Sequence, residues 1–209
     1  MKKQIIIIHG GTSFSNYNDY LQYLKSQKIT IEKLKPKKDW KYNIVNKLRK
    51  DYEVLTPQMP NKNNARYKEW EIWFKNIERI IKNNIILIGH SLGGIFLAKY
   101  LSQNNFSKKI KATIIVAAPF ENKNTYKNKK LLKEKESLKD FALPNSLNKF
   151  KKQGGKIYLI YSKDDPIVPL FHLKQYQEIL PEAKAIILNN KKHFNQETFP
   201  EIIKLIKSI

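Results

Sequence analysis

The chain of 209 residues contains no cysteine. This absence excludes a disulfide scaffold, a thiolate metal site and a cysteine nucleophile. It fits a reducing compartment, and we expect a cytoplasmic protein. Long apolar segments are missing as well. The apolar run at residues 5–8, behind two lysines, is shorter than the core of a signal peptide, and no run approaches the length of a membrane span.

Arginine and acidic residues are scarce. The chain has 40 basic and 18 acidic residues, a net charge of +22, yet only three of its cations are arginine. Residues 1–104 and residues 105–209 carry +11 each, so no basic tail stands out. Proteins that read nucleic acids rely on arginine for bidentate contacts. Lysine, isoleucine and asparagine, which have A/T-rich codons, together make up 85 residues. Genome composition therefore explains the charge, and we expect no specific nucleic-acid partner.

Six short apolar runs rich in Ile, Val or Tyr lie along the chain, at residues 5–8, 52–56, 85–88, 112–117, 157–161 and 185–188. Runs of this kind are typical of strands buried on both faces. Helical periodicity separates them, most clearly over residues 64–82, where we expect Trp70 and Trp73 to pack in the core. The alternation predicts an α/β fold, a doubly wound and mostly parallel sheet with helices on both faces, in one domain of residues 1–209.

Two lysine-rich segments, residues 28–50 and residues 121–150, do not fit a minimal alternation of strands and helices. Either is a candidate lid over a site, and a solvated insertion without a role is the alternative. Within the first segment, Asp39 is expected to cap a helix. Near the end of the chain, Thr198 and Glu201 have the spacing of a capping box, with Pro200 in the first turn of the last helix.

Glycine is also rare, and its placement is informative. The seven glycines form three clusters, at residues 10–11, 89–94 and 154–155. The third is expected to end a helix, as a C-cap glycine does. The first two clusters directly follow predicted strands. Because glycine is so rare in this chain, its use at these two places indicates positions where a side chain does not fit.

The middle cluster contains the pattern Gly-x-Ser-x-Gly, typical of a nucleophile elbow. It consists of Gly89, His90, Ser91, Leu92 and Gly93. The serine must lie on a sharp strand-to-helix turn, so the residues two before and two after it must be small. The following helix then points its N-terminus at the site, where negative charge develops during acyl transfer. We therefore predict Ser91 as the nucleophile.

A serine nucleophile requires a base and an orienting acid. Four histidines are available: His9, His90, His172 and His193. The first two lie on the glycine loops, where a structural role is expected, and His172 is expected to be a surface or packing residue at a helix start. His193 follows the last strand on a polar loop and is the predicted base. The acid lies after the fifth strand, at Asp164 or Asp165, which gives the order Ser, acid, His of α/β-hydrolases.

Three motifs together carry a resemblance to a known family. They are His9-Gly10-Gly11, the Gly-His-Ser-Leu-Gly-Gly stretch at 89–94, and Ser-Lys-Asp-Asp-Pro-Ile-Val-Pro at 162–169 with His193-Phe194 behind it. Over nearly its whole length the chain resembles small single-domain α/β-hydrolases, most of all the retinoblastoma-binding-protein-like and YdeN-like serine hydrolases. The resemblance implies that the acid is Asp165, directly before Pro-x-Val-Pro, with Asp164 shaping the turn. It also implies six strands in the order 2-1-3-4-5-6.

That order places the first and third strands side by side, at the point where open α/β sheets bind ligands. Gly10 and Gly11 would then face Ser91, and the backbone N–H groups of Gly11 and Leu92 would form an oxyanion hole. The expected reaction is hydrolysis of a carboxylic ester, thioester or amide through an acyl-enzyme on Ser91. We expect a small-molecule acyl substrate and no metal or cofactor. The alternative is a weakly catalytic or non-catalytic module on the same fold that binds a ligand or a protein.

Overall fold

The computed structural model of the protein describes residues 2–35, 38–121 and 138–209. One sheet of six parallel strands runs through it, in the order β2-β1-β3-β4-β5-β6. The strands are β1 (Lys3–Ile8), β2 (Tyr52–Leu55), β3 (Ile85–His90), β4 (Ile110–Val116), β5 (Lys156–Ser162) and β6 (Lys184–Leu188). This order confirms the one that the family resemblance implies.

Helices cover both faces of the sheet. They are α1 (Tyr17–Ser26), α2 (Ile31–Leu34), α3 (Trp40–Leu48), α4 (Tyr67–Ile80), α5 (Leu92–Gln103), α6 (Asn148–Gln153), α7 (Phe171–Ile179) and α8 (Pro200–Ser208). One core cluster joins the sheet to α4, α5, α6 and α7, and the other joins it to α3 and α8. The predicted doubly wound fold is therefore confirmed. Among the described residues, no helix is long and apolar enough to span a bilayer.

The inner strands are buried on both faces of the sheet, as predicted, but the edges of the sheet are more exposed. The side chains of β3 are all buried, whereas those of β6 are exposed or only partly covered. An edge strand has one neighbour instead of two, so helices overlap it less completely. The sequence gives little indication of this difference, because β6 still consists largely of isoleucine and leucine.

Two local predictions were wrong. Trp70 is fully buried, but Trp73 is 46% exposed, because it lies at the margin of the stripe that α4 turns toward the sheet. Thr198 does not cap α8. The helix begins after Phe199 without a side-chain cap bond, with Pro200 in its first turn as expected. Phe199 is buried edge-on against Trp40, so aromatic packing rather than a hydroxyl sets the start of this helix.

The two candidate lid segments, residues 28–50 and 121–150, each contribute residues to the core. In the segment 28–50, residues 36–37 lie outside the described residues. Asp39 caps α3 as predicted, and α3 packs into the core, so this helix is not a lid. In the segment 121–150, residues 122–137 lie outside the described residues. The remainder joins the core through Phe141, Leu143 and Phe150. Gly154 ends α6 as predicted, and Gly155 follows with a φ of +65°.

Candidate active site

Ser91 occupies the sharp turn between β3 and α5. Its φ of +53° and ψ of −121° are unusual for a residue with a side chain, and its backbone N–H donates to the carbonyl of Val116 at 2.8 Å. The small neighbours are needed for space. A Cβ on Gly89 would lie 2.5 Å from the carbonyl oxygen of Gly93. The turn therefore has the shape that the elbow pattern predicts, with the serine between a buried strand and a buried helix.

His193 brings the other two predicted residues together. Its Nε2 lies 3.0 Å from the Oγ of Ser91, and its Nδ1 lies 2.9 Å from an Oδ of Asp165. The side chains of His193 and Asp165 are buried. The other oxygen of Asp165 accepts the backbone N–H groups of Ile167 and Val168 at 2.8 and 2.9 Å. These bonds fix the carboxylate in place, and the three side chains form one hydrogen-bonded chain.

Asp164 lies beside this chain but does not touch the histidine. One of its oxygens accepts the hydroxyl of Ser162 at 2.5 Å and the backbone N–H groups of Lys191 and Lys192 at 3.2 and 3.3 Å. The Ser162 hydroxyl is the main cause of the lowered pKa of the Asp164 carboxyl. Asp164 therefore links the loop after β5 to the loop that carries His193. The sequence predicts only that Asp164 shapes its own turn, so this link between two loops is an additional finding.

The first glycine cluster faces the serine. A Cβ on Gly10 would lie 3.1 Å from the Cβ of Ser91, and one on Gly11 would lie 3.2 Å from the side chain of Leu92. Leu92 is the first residue of α5, so its N–H has no partner within the helix. The structure thus brings together the two residues whose N–H groups were predicted to form an oxyanion hole.

The remaining histidines make structural hydrogen bonds. His9 accepts the N–H of Met59 at 2.9 Å, and His172 accepts the N–H of Phe120 at 3.1 Å. Burial lowers the pKa of His9, and it lowers that of His172 to about 4. Both are therefore neutral acceptors near neutral pH. His172 is partly buried and bonded to the backbone of Phe120, so it is a packing residue, one of the two alternatives left open by the sequence.

His90 and Trp40 support the loop of His193, a role that the sequence did not reveal. The Nε2–H of His90 donates to the carbonyl of His193 at 2.9 Å, and the Nε1–H of Trp40 donates to the carbonyl of Phe194 at 2.8 Å. Burial lowers the pKa of His90 well below its ordinary value. No local pattern marks such contacts, because Trp40 and Phe194 are 154 positions apart.

Comparison with known proteins places this geometry in a family. A family model described as serine hydrolase matches residues 33–207. The chain belongs to the serine hydrolase family. A search of curated proteins finds no match. The site of this serine hydrolase contains no group of three His, Asp or Glu side chains able to hold a metal ion within the described ranges.

Solved structures with the same fold cover nearly the whole chain. The ydeN gene product of B. subtilis has a TM-score of 0.71 at 19% identity, covering 99% of this chain and 98% of its own. A carboxylesterase of Nitrososphaera gargenis has a TM-score of 0.62 at 15% identity, with coverages of 99% and 89%. A pyrethroid hydrolase of Sphingobium faniae has a TM-score of 0.61 at 14% identity, with coverages of 100% and 97%. These similarities establish the α/β-hydrolase fold of this serine hydrolase.

Proposed function

We propose that this serine hydrolase cleaves a carboxylic ester through a triad of Ser91, His193 and Asp165. The observation that carries the proposal is the unbroken hydrogen-bonded chain from Asp165 through His193 to Ser91, at 2.9 and 3.0 Å, on a strand-to-helix turn. Thioesters and amides are the related bonds that the same chemistry would cleave. The substrate is a small acyl compound, and the reaction proceeds through an acyl-enzyme.

In the first step, the Oγ of Ser91 attacks the acyl carbon while the Nε2 of His193 accepts the hydroxyl proton. Asp165 accepts the Nδ1–H, so it fixes the tautomer with a free Nε2 and stabilises the imidazolium that forms. His193 then returns the proton to the leaving alcohol. In the second step, His193 activates a water molecule that attacks the acyl-enzyme and releases the acid and Ser91.

The N–H groups of Gly11 and Leu92 stabilise the oxyanion of each tetrahedral intermediate. A Cβ on Gly11 would lie 3.2 Å from the side chain of Leu92, and Leu92 begins a helix whose N-terminus favours negative charge. In known enzymes each donor of this kind contributes about 10²- to 10³-fold to the rate. The site would thus combine an activated nucleophile with preorganised donors.

The choice of an ester rests on the proteins that share the fold. Of the two hydrolases compared above, one is a carboxylesterase and the other hydrolyses pyrethroids. Both have low identity to this chain and support only the class of bond, not an acyl-chain length or an alcohol. An aryl acetate suits a first assay, because its phenolate leaving group makes the ester easy to hydrolyse.

The test is labelling by a fluorophosphonate probe. Wild type, Ser91→Ala and His193→Ala are compared at equal concentration of folded protein, with heat-denatured wild type as the control for nonspecific reaction. We expect labelling of native wild type alone. In parallel, aryl acetate hydrolysis should fall on the order of 10⁴-fold or more in both variants.

A folded wild type that neither reacts with the probe nor hydrolyses the ester would contradict the proposal. It would favour the second candidate, a module that binds its ligand without turnover. Labelling that persists in Ser91→Ala would instead assign the nucleophile to another residue and remove the basis for the triad.

A further inference from the structure

The loop that carries His193 holds a backbone conformation that its own residues do not favour. Between β6 and α8, Asn190, Lys192 and Phe194 have φ values of +57°, +45° and +53°. Asparagine tolerates this left-handed region, but a bulky aromatic residue is uncommon there. Because the chain uses no glycine in this loop, contacts from outside the loop must hold its shape.

Two buried ring N–H groups supply such contacts on consecutive carbonyls. The Nε2–H of His90 donates to the oxygen of His193 at 2.9 Å, and the Nε1–H of Trp40 donates to the oxygen of Phe194 at 2.8 Å. Both hydrogen bonds are buried. They fix the two peptide planes that follow the Cα of His193. They therefore also fix the direction in which the imidazole side chain projects from the backbone.

The two donors also pack against each other and against the loop. The ring of Trp40 meets that of His90 edge-on at 5.8 Å, and the ring of His90 lies 5.1 Å from that of His193. The backbone N–H of Trp40 donates to the carbonyl of Gln196 at 3.1 Å, so the start of α3 is bonded to the loop by both main chain and side chain. Phe199 covers Trp40 from the side of α8.

We propose that Trp40 and His90 are positioning residues, which hold the backbone of His193 so that its ring spans Ser91 and Asp165. This inference rests on the proposed function. It gives α3 a part in the site, whereas the sequence indicates only a lid or a solvated insertion for the segment 28–50. His90 suits the position because an uncharged ring adds no positive charge beside the imidazolium that His193 becomes during acyl transfer.

The test compares Trp40→Phe and His90→Phe, which keep an aromatic ring in the core but remove the donor. Tyr52→Phe is the matched control. The hydroxyl of Tyr52 donates to the carbonyl of Ile206 at 3.2 Å across the same core cluster, but that carbonyl belongs to α8 and not to the loop. His90→Gln, whose amide can still donate, serves as the rescue variant.

Each variant is titrated with the fluorophosphonate probe to count reactive Ser91, and kcat and KM for an aryl acetate are expressed per titrated site. A purely structural role would lower the number of titrated sites and leave kcat per site unchanged. We expect kcat per site to fall about 10- to 100-fold in Trp40→Phe and His90→Phe, since a displacement near 1 Å costs about that much. KM should change little, and His90→Gln should recover part of the loss.

Equal kcat per site in Trp40→Phe, His90→Phe and Tyr52→Phe would overturn the positioning role while leaving the proposed function intact. Wild type that does not react with the probe would overturn the proposed function, and the positioning role with it. A variant that fails to fold is recognised by its circular dichroism spectrum. In that case the comparison of His90→Phe with His90→Gln decides the outcome, because only the glutamine side chain can donate to the carbonyl of His193.

Discussion

At the scale of single residues, Gly11 illustrates how space and chemistry are linked in this site. A Cβ at this position would lie 2.5 Å from the carbonyl oxygen of Lys62, which already accepts the N–H of Thr12 at 2.8 Å. Gly11→Ala must therefore displace one of the two loops. Because that movement would carry the N–H of Gly11 away from the oxyanion, we expect kcat/KM to fall on the order of 10²-fold.

Gly155→Ala is the matched control for this prediction. Its Cβ would be just as crowded, 2.6 Å from the carbonyl oxygen of Ile110, but it lies at the amino end of β5, far along the sheet from the site. That variant should lose stability in a thermal melt and keep its activity per titrated site. Equal activity per site in the two alanine variants would contradict the role given to Gly11.

At the scale of elements, the two loops after β5 and β6 act together, and the two aspartates of the first loop do different work. Asp165 contacts His193, whereas Asp164 accepts the N–H groups of Lys191 and Lys192. Asp165→Asn should lower kcat on the order of 10⁴-fold, because an amide favours the wrong histidine tautomer. Asp164→Asn weakens only the connection between the loops, and we expect a loss of about 10-fold or less.

The measurement is kcat for aryl acetate hydrolysis by both variants at one pH, with Asp164→Ala as a further step. Alanine removes all the side-chain hydrogen bonds of Asp164. The decrease in kcat of Asp164→Ala should therefore exceed that of Asp164→Asn and stay well below that of Asp165→Asn. If Asp164→Asn were the more damaging of the two asparagine variants, the assignment of the acid would have to be reversed.

The sequence predicted those parts of the molecule that local patterns encode. The strand order and the contact of Ser91, His193 and Asp165 follow from apolar runs, glycine placement and a resemblance carried by short motifs. It did not predict the donors Trp40 and His90, because a hydrogen bond to a distant carbonyl leaves no periodic trace. It misplaced the cap of α8, because the burial of Phe199 outweighed a capping hydroxyl.

At the scale of the whole molecule, the net charge of +22 and three partly or fully buried histidines act in the same direction when the pH falls. Burial lowers the pKa of His9, His90 and His172 in the folded state, whereas the unfolded chain titrates near the ordinary value of about 6.5. Below that pH the unfolded state binds more protons. The stability that the neutral rings contribute is therefore present above about pH 6.5 and is lost as the pH decreases.

The size of this loss can be tested at His172, whose folded pKa is about 4. At about pH 5 its share of the free energy of unfolding should be smaller by about 2 kcal/mol than at neutral pH. In His172→Asn the amide oxygen can take the place of the Nδ1 that accepts the N–H of Phe120. We expect this variant to lose about 2 kcal/mol less than wild type between pH 7.5 and about pH 5 in urea unfolding.

Repulsion among the lysines also grows as histidines become charged, and salt separates the two effects. Repulsion between exposed charges weakens at about 0.5 M NaCl, where the screening length is a few ångströms, while the cost of charging the partly buried ring of His172 is screened much less. The difference between wild type and His172→Asn should therefore persist at high salt, although the total acid sensitivity of both proteins becomes smaller. If the difference vanished with added salt, the acid sensitivity would arise from the surface charge and not from the imidazole of His172.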